Sequence, residues 1–182
     1  MKQTDLHRQL RDEAIATRER LSVMLRPLSL SQINEHPEPN GWSVADVLEH
    51  LCVADELSEK PTADLLRASR PDAAAPTREW KSSFIGGMIA GSLLKPSKLK
   101  SAKVMQPGPT PRNGIVEEFL ARELKFVDAM DNAASFDWRA LRINSPALPG
   151  WAPKINLGDG FRIHVVHVTR HSHQVERVIG QL

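Results

Sequence analysis

The chain has 182 residues, 41% hydrophobic and 25% charged, with a formal net charge of +2. That composition is ordinary for a folded globular protein and excludes global disorder; the small charge gives no electrostatic reason to expect a nucleic-acid partner. No apolar run approaches a bilayer-spanning length, and the start, Met1-Lys-Gln-Thr-Asp-Leu-His-Arg8, has no apolar signal-peptide core. The single cysteine, Cys52, cannot form an internal disulfide, so a reducing cytoplasm is expected. The length fits one domain over residues 1–182.

Four amphipathic helices are expected in chain order. The first covers about 5–26, with Leu10, Ala14, Thr17, Leu21 and Met24 at alternating four- and three-residue steps. A second starts at Ser43-Val-Ala-Asp46, which has the form of a capping box, with Trp42 placed to staple onto Val47. It continues through Leu51, Ala54 and Leu57, carries His50 on the edge of that face, and is expected to end or kink at Pro61. Residues 70–113 are broken by Pro71, Pro76, Pro96, Pro107, Pro109 and Pro111 around a short apolar piece, Phe84–Leu94. Gly87 and Gly91 in that piece, four residues apart, would permit a close helix contact. The third helix, about 114–133, presents Val116, Phe119, Glu123, Phe126 and Met130. After a second long connection at 134–158, the last helix is expected to start near Asp159 as its N-cap. No strand alternation is convincing. The pattern is all-α, a four-helix bundle with long crossover connections.

The last helix carries the chemistry. At about 100° per residue, His164, His167 and His171 fall on one narrow arc that overlaps the stripe Phe161, Val168, Val175 and Val178. Imidazoles on a core-facing stripe are costly to bury unless a ligand or hydrogen bonds satisfy them, and a metal ion is one such ligand. Ligand nitrogens around a zinc-type ion lie only about 3 Å apart. His164 and His171 are two turns apart, about 10 Å along the axis, and cannot share an ion on one unbroken helix. His167 can pair with either of them, so another element must supply the third ligand. His50 is the candidate, as the histidine within another core-facing helix; His7 and His36 read as surface residues. The spacing His167-x-x-x-His171 invites comparison with metalloprotease helices, but Val168 stands where the general-base Glu would be. Cys52 reads as a small buried hydrophobe.

Asn40-Gly-Trp42-Ser43-Val-Ala-Asp-Val-Leu-Glu-His50-Leu resembles the second-helix signature of the DinB-like (DinB/YfiT) superfamily. His167-Val-Thr-Arg170-His171-Ser-His-Gln174 resembles its closing His-x-x-x-His-x-x-Gln motif. The resemblance implies a four-helix bundle, often dimeric, with a three-histidine site for a divalent metal ion, zinc or nickel. Carried over by motif, the metal ligands are His50, His167 and His171. His164 is then left to support or packing, and Gln174 either orients a ligand or bonds within the bundle. Three neutral imidazoles leave an open coordination position, able to activate water or a small-molecule thiol. The superfamily's bacillithiol- and mycothiol-dependent transferases favour the thiol, with hydrolysis as the other chemistry and a non-catalytic metal-binding or stress-response bundle as the alternative. The expected partners are a small-molecule substrate and a second copy of the chain, with no nucleic acid and no membrane. The run Lys95, Lys98, Lys100 and Lys103 lacks interleaved aromatics and reads as a solvated loop.

Overall fold

The computed structural model describes residues 1–39, 41–95, 101–108, 110 and 112–182. Of the residues named above, Asn40, Pro96, Lys98, Lys100, Pro109 and Pro111 lie outside the described residues. The helices are α1 (Gln3–Leu25), α2 (Leu30–Asn34), α3 (Val44–Ala68), α4 (Phe84–Leu93), α5 (Ile115–Asn132) and α6 (Leu157–Ile179). Two-residue strands β1 (Arg142–Ile143) and β2 (Ile155–Asn156) pair antiparallel, Arg142 opposite Asn156. That small sheet was not expected from the sequence, because two residues carry no alternation to read. Among the described residues no helix is long and apolar enough to cross a membrane.

The bundle is built from α1, α3, α5 and α6. α1 packs on α5 and α6, and α3 packs on the same two helices. α1 and α3 therefore stand on one diagonal, α5 and α6 on the other. Of the two connections expected to cross over, 134–158 does cross a diagonal. The segment 70–113 instead joins neighbouring helices, and the second diagonal crossing is the shorter α1–α3 link that holds α2. α4, an addition to the bundle, lies on α6.

The expected capping box at the start of α3 is present. Asp46 N–H donates to Ser43 Oγ at 3.1 Å, and Ser43 N–H donates to Asp46 Oδ2 at 2.9 Å. Trp42 packs against the apolar cluster that contains Val47. Pro61 does not end α3, which runs on to Ala68. Pro61 is exposed, and the carbonyl it deprives of a donor belongs to Leu57, itself 40% exposed, so water can replace the lost bond. Beyond it, Leu65 and Leu66 still pack onto the core, which rewards continuing the helix.

The α6 boundary also differs. Asn156 is the N-cap, accepting from Asp159 N–H at 2.8 Å, so Asp159 is the third helical residue. Its buried carboxylate accepts from Ser83 N–H (2.8 Å), Ser83 Oγ (2.7 Å) and Ser82 Oγ, and so holds the start of α4. The close approach of α4 is made at Gly86, where a Cβ would collide with the Asp159 carboxylate. Within the chain Gly91 has nothing within 4 Å and Gly87 meets only the Ser82 side chain, so neither glycine makes a close helix contact inside the bundle.

Two apolar clusters fill the bundle. One joins Leu21, Leu25, Val47, Leu51, Phe119 and Val175; the other joins Leu6, Leu10, Met130, Trp138, Leu157 and Phe161. Along α1, α3 and α5 a polar residue falls between them, Thr17, Asp55 and Glu123, and on α6 His167 falls between Val165 of the second cluster and Val168 of the first, with His164 one turn before it. The functional groups occupy this level and the turn of α6 above it.

Candidate metal centre

His50 is fixed by the capped first turns of α3, where residues 44 to 52 are all buried. Its Nδ1–H donates to the Met105 carbonyl at 2.5 Å, which leaves Nε2 as the free lone pair. That carbonyl belongs to the connection between α4 and α5, whose far end is anchored by Arg112. The Arg112 guanidinium bonds Glu49 on α3 at 2.9 Å and Glu118 on α5 at 2.7 Å. The segment 70–113, opaque in the sequence, thus supplies both α4 and the group that orients His50.

His167 comes from α6 on the facing side, with its Nε2 at 3.0 Å from His50 Nε2. His171, one turn later, donates from Nδ1 to Gln174 Oε1 at 2.8 Å, leaving its own Nε2 free. The three ring centroids lie 4.6 to 4.9 Å apart. One nitrogen from each ring falls within 4.8 Å of the others. Trp42 closes one side, 5.1 Å from the His50 ring and stacked on His171 at 6.4 Å. The centre opens into a cleft of about 2000 Å³ along α6.

Burial keeps this group neutral. It pulls His50 below its ordinary value, against the opposing pull of the Met105 hydrogen bond. Burial, then the neighbouring His171 and His50, puts His167 well below it. Burial and His50 bring His171 down to about 3. Neutral imidazoles are the form a cation requires, and in His50 and His171 the outer nitrogen is bonded so that the inner lone pair is bare. The donor set therefore fits one divalent ion, with His50, His167 and His171 as the residues able to hold it.

The structure brings together the three histidines selected by motif, and gives Gln174 the orienting contact. His164 points elsewhere. Its ring stacks on Phe126 at 3.5 Å and its nitrogens face Asp55 (3.1 Å) and Glu123 (3.3 Å). His36 is exposed and bonded to the Gly41 carbonyl, as a surface residue should be. His7 is not a free surface residue: it is half-buried and bonds Asp131 at 2.8 Å, tying α1 to α5. Arg170 holds the end of α4, donating to the Leu93 and Lys95 carbonyls. Sequence reasoning missed Met105, because a backbone carbonyl leaves no residue-type signal. It also passed over Asp55 and Glu123, although a Glu within an apolar stripe was a usable signal.

An all-α four-helix bundle with a buried cluster of three imidazoles is thus the class that fold and site define. Among solved structures, the chain is similar to YfiT from Bacillus subtilis, described as a probable metal-dependent hydrolase with an unusual four-helix bundle topology. The TM-score is 0.58 at 15% sequence identity, over 94% of this chain and 85% of that one. The YfiT-type bundle named by the two sequence motifs is therefore the fold of this chain. No family model and no curated protein matches it.

Proposed function

We propose that the chain is a divalent-metal-dependent enzyme for a small-molecule substrate, with zinc or nickel held by His50, His167 and His171. The observation that carries this is the 3.0 Å approach of two imidazole Nε2 atoms, with the outer nitrogen of His50 already committed to a carbonyl. A divalent ion there would supply Lewis-acid chemistry, acidifying water or a low-molecular-weight thiol toward its nucleophilic form. The chain's own residues supply the rest. Met105 and Gln174 fix the tautomers of His50 and His171, and Trp42 shields one side of the cluster from water. Burial, then Asp55, pushes the Cys52 thiol up to about 12, so Cys52 does not supply a thiolate nucleophile.

Water as nucleophile is supported by the likeness to YfiT, and a bacillithiol- or mycothiol-type thiol by the closing motif. Catalysis is favoured over a purely structural ion by the donor count. Among the described residues the cluster has three ligating side chains and no fourth Asp, Glu, Cys or His to close the coordination. The reading includes a cytoplasmic location and a homodimer, the latter supported by Phe84 and Met88, which expose an apolar strip on α4 at 88% and 55%. A single-chain mass in light scattering would overturn the dimer.

The test is to load the protein with zinc or nickel and titrate bacillithiol, mycothiol and glutathione, following coordination and transfer to model electrophiles beside hydrolysis of simple esters and amides. Turnover lost on metal removal and in His50→Ala is the expected result. Turnover that survives both overturns the mechanism.

A further inference from the structure

Glu123 is 1% exposed, and neither of its carboxylate oxygens has a hydrogen-bond partner. Asp55 Oδ2 and His164 Nε2 are likewise buried without a hydrogen bond. These atoms converge from three helices, α3, α5 and α6. His164 Nδ1 is 3.1 Å from Asp55 Oδ1 and its Nε2 is 3.3 Å from Glu123 Oε1. Among the described residues His164 is the ion-pair partner of both acids, and no lysine or arginine joins them. Buried polar atoms are ordinarily bonded; here Asp55 Oδ2 and Glu123 Oε2 have no partner, and Glu123 Oε1 and His164 Nε2 have only each other across 3.3 Å, so the cluster calls for an occupant.

We propose that Asp55, Glu123 and His164 form a second divalent-cation site, separate from the three-histidine cluster and one turn from it along α6. One ligand atom from each residue lies within 4.8 Å of the others, as in the first cluster. The charge balance argues for a metal ion over a proton. Two carboxylates with a single imidazolium leave one buried negative charge uncompensated, which is costly. A divalent cation with a neutral imidazole cancels both carboxylates. Two oxygen donors and one nitrogen suit a first-row ion such as manganese, iron, cobalt or zinc, where three imidazoles favour zinc or nickel. The Phe126 ring stacked on His164 fixes the plane in which its nitrogens lie. Asp55 and His164 line the same cleft as His50, His167 and His171, so an ion there would face the same substrate.

The site does not depend on the proposed enzyme activity, and the experiment keeps the two apart. Chelator-stripped full-length protein is equilibrated with Co²⁺ and bound ions are counted per chain, with visible absorption recorded and circular dichroism checking each variant's fold. The wild type is expected to bind two ions, and Glu123→Gln, His164→Gln and His167→Ala one each. The absorption bands remaining in Glu123→Gln should differ from those remaining in His167→Ala, since the donor sets differ. One ion in the wild type, lost in His167→Ala and kept in Glu123→Gln, overturns the second site and leaves the first standing. Two ions in His167→Ala but one in Glu123→Gln supports the second site and overturns the first. If a carboxylate variant fails to fold, His167→Ala still decides: an ion kept in that variant supports the second site, and none kept refutes it.

Discussion

His171 and Gln174 are joined one helical turn apart, with Nδ1–H donating to Oε1 at 2.8 Å. The bond sets the ring's tautomer, so Nε2 keeps its lone pair on the side shared with His50 and His167. Outer partners of this kind typically change metal affinity by about 10- to 100-fold. Gln174→Leu should weaken divalent binding by roughly that factor while leaving the helical circular dichroism unchanged. Competition against a chromogenic chelator measures it. An unchanged affinity would make the Gln174 contact merely structural.

The ligand assignment has its own order of effects. His167, His50 and His171 are mutually 4.6 to 4.9 Å apart by ring centroids, and His167 Nε2 already lies 3.0 Å from His50 Nε2. His167→Ala should therefore abolish tight zinc binding at the three-histidine cluster, and His171→Ala should do nearly as much. His164→Ala should leave that cluster filled, since His164 faces Asp55 and Glu123. Isothermal titration of zinc into each stripped variant checks this. If His164→Ala emptied the cluster while His171→Ala left it filled, the pairing on α6 would be wrong.

Stability of the metal-free protein should depend on pH with opposite signs on the two clusters. His171 falls from 6.5 to about 3 on folding, so below pH 6.5 the unfolded chain takes up a proton that the folded chain refuses. Its contribution is lost as the pH falls from about 6.5 toward 3, at up to about 1.4 kcal/mol per pH unit. For His164, burial pulls downward, but Asp55 and Glu123 together outweigh it and raise the imidazole to about 10. That stabilisation is fully present below 6.5 and is lost as the pH rises through 10. Urea unfolding against pH should show His171→Gln flattening the acid limb and His164→Gln flattening the alkaline one. Unaltered limbs in both variants would contradict these assignments.

What the sequence made legible follows from what periodicity encodes. Stripes such as Leu10, Ala14 and Leu21, or Phe119, Glu123 and Met130, report a face, and each of those residues is buried. The box at Ser43 and Asp46 reports a helix start because two backbone donors need acceptors there. Spacing also limits which histidines can share an ion, although the choice of His171 over His164 came from the motif. The illegible parts depend on contacts between distant segments. Asp159 looks like an N-cap, but Asn156 takes that role and frees the Asp159 carboxylate for Ser82 and Ser83. Pro61 looks like a helix end, and only the exposure of Leu57 and the packing of Leu65 and Leu66 show why it is not.

Asp159 also carries the last prediction, because it fastens α4 to the bundle from a fully buried position. Its carboxylate receives three donors from Ser82 and Ser83, and a Cβ on Gly86 would run into it. Asp159→Ala removes the acceptors and strands those donors, a loss of roughly 1–3 kcal/mol, while Asp159→Asn keeps one oxygen and should lose less. The damage should stay local. Arg170 still holds the far end of α4 through the Leu93 carbonyl, and none of His50, His167 and His171 touches Asp159 in the described contacts. The expected result is a lower urea midpoint and faster protease cleavage between residues 80 and 95, with zinc affinity at the three-histidine cluster unchanged. A fall in zinc affinity as large as the fall in stability would mean that α4 and the metal centre form one cooperative unit rather than two separable parts.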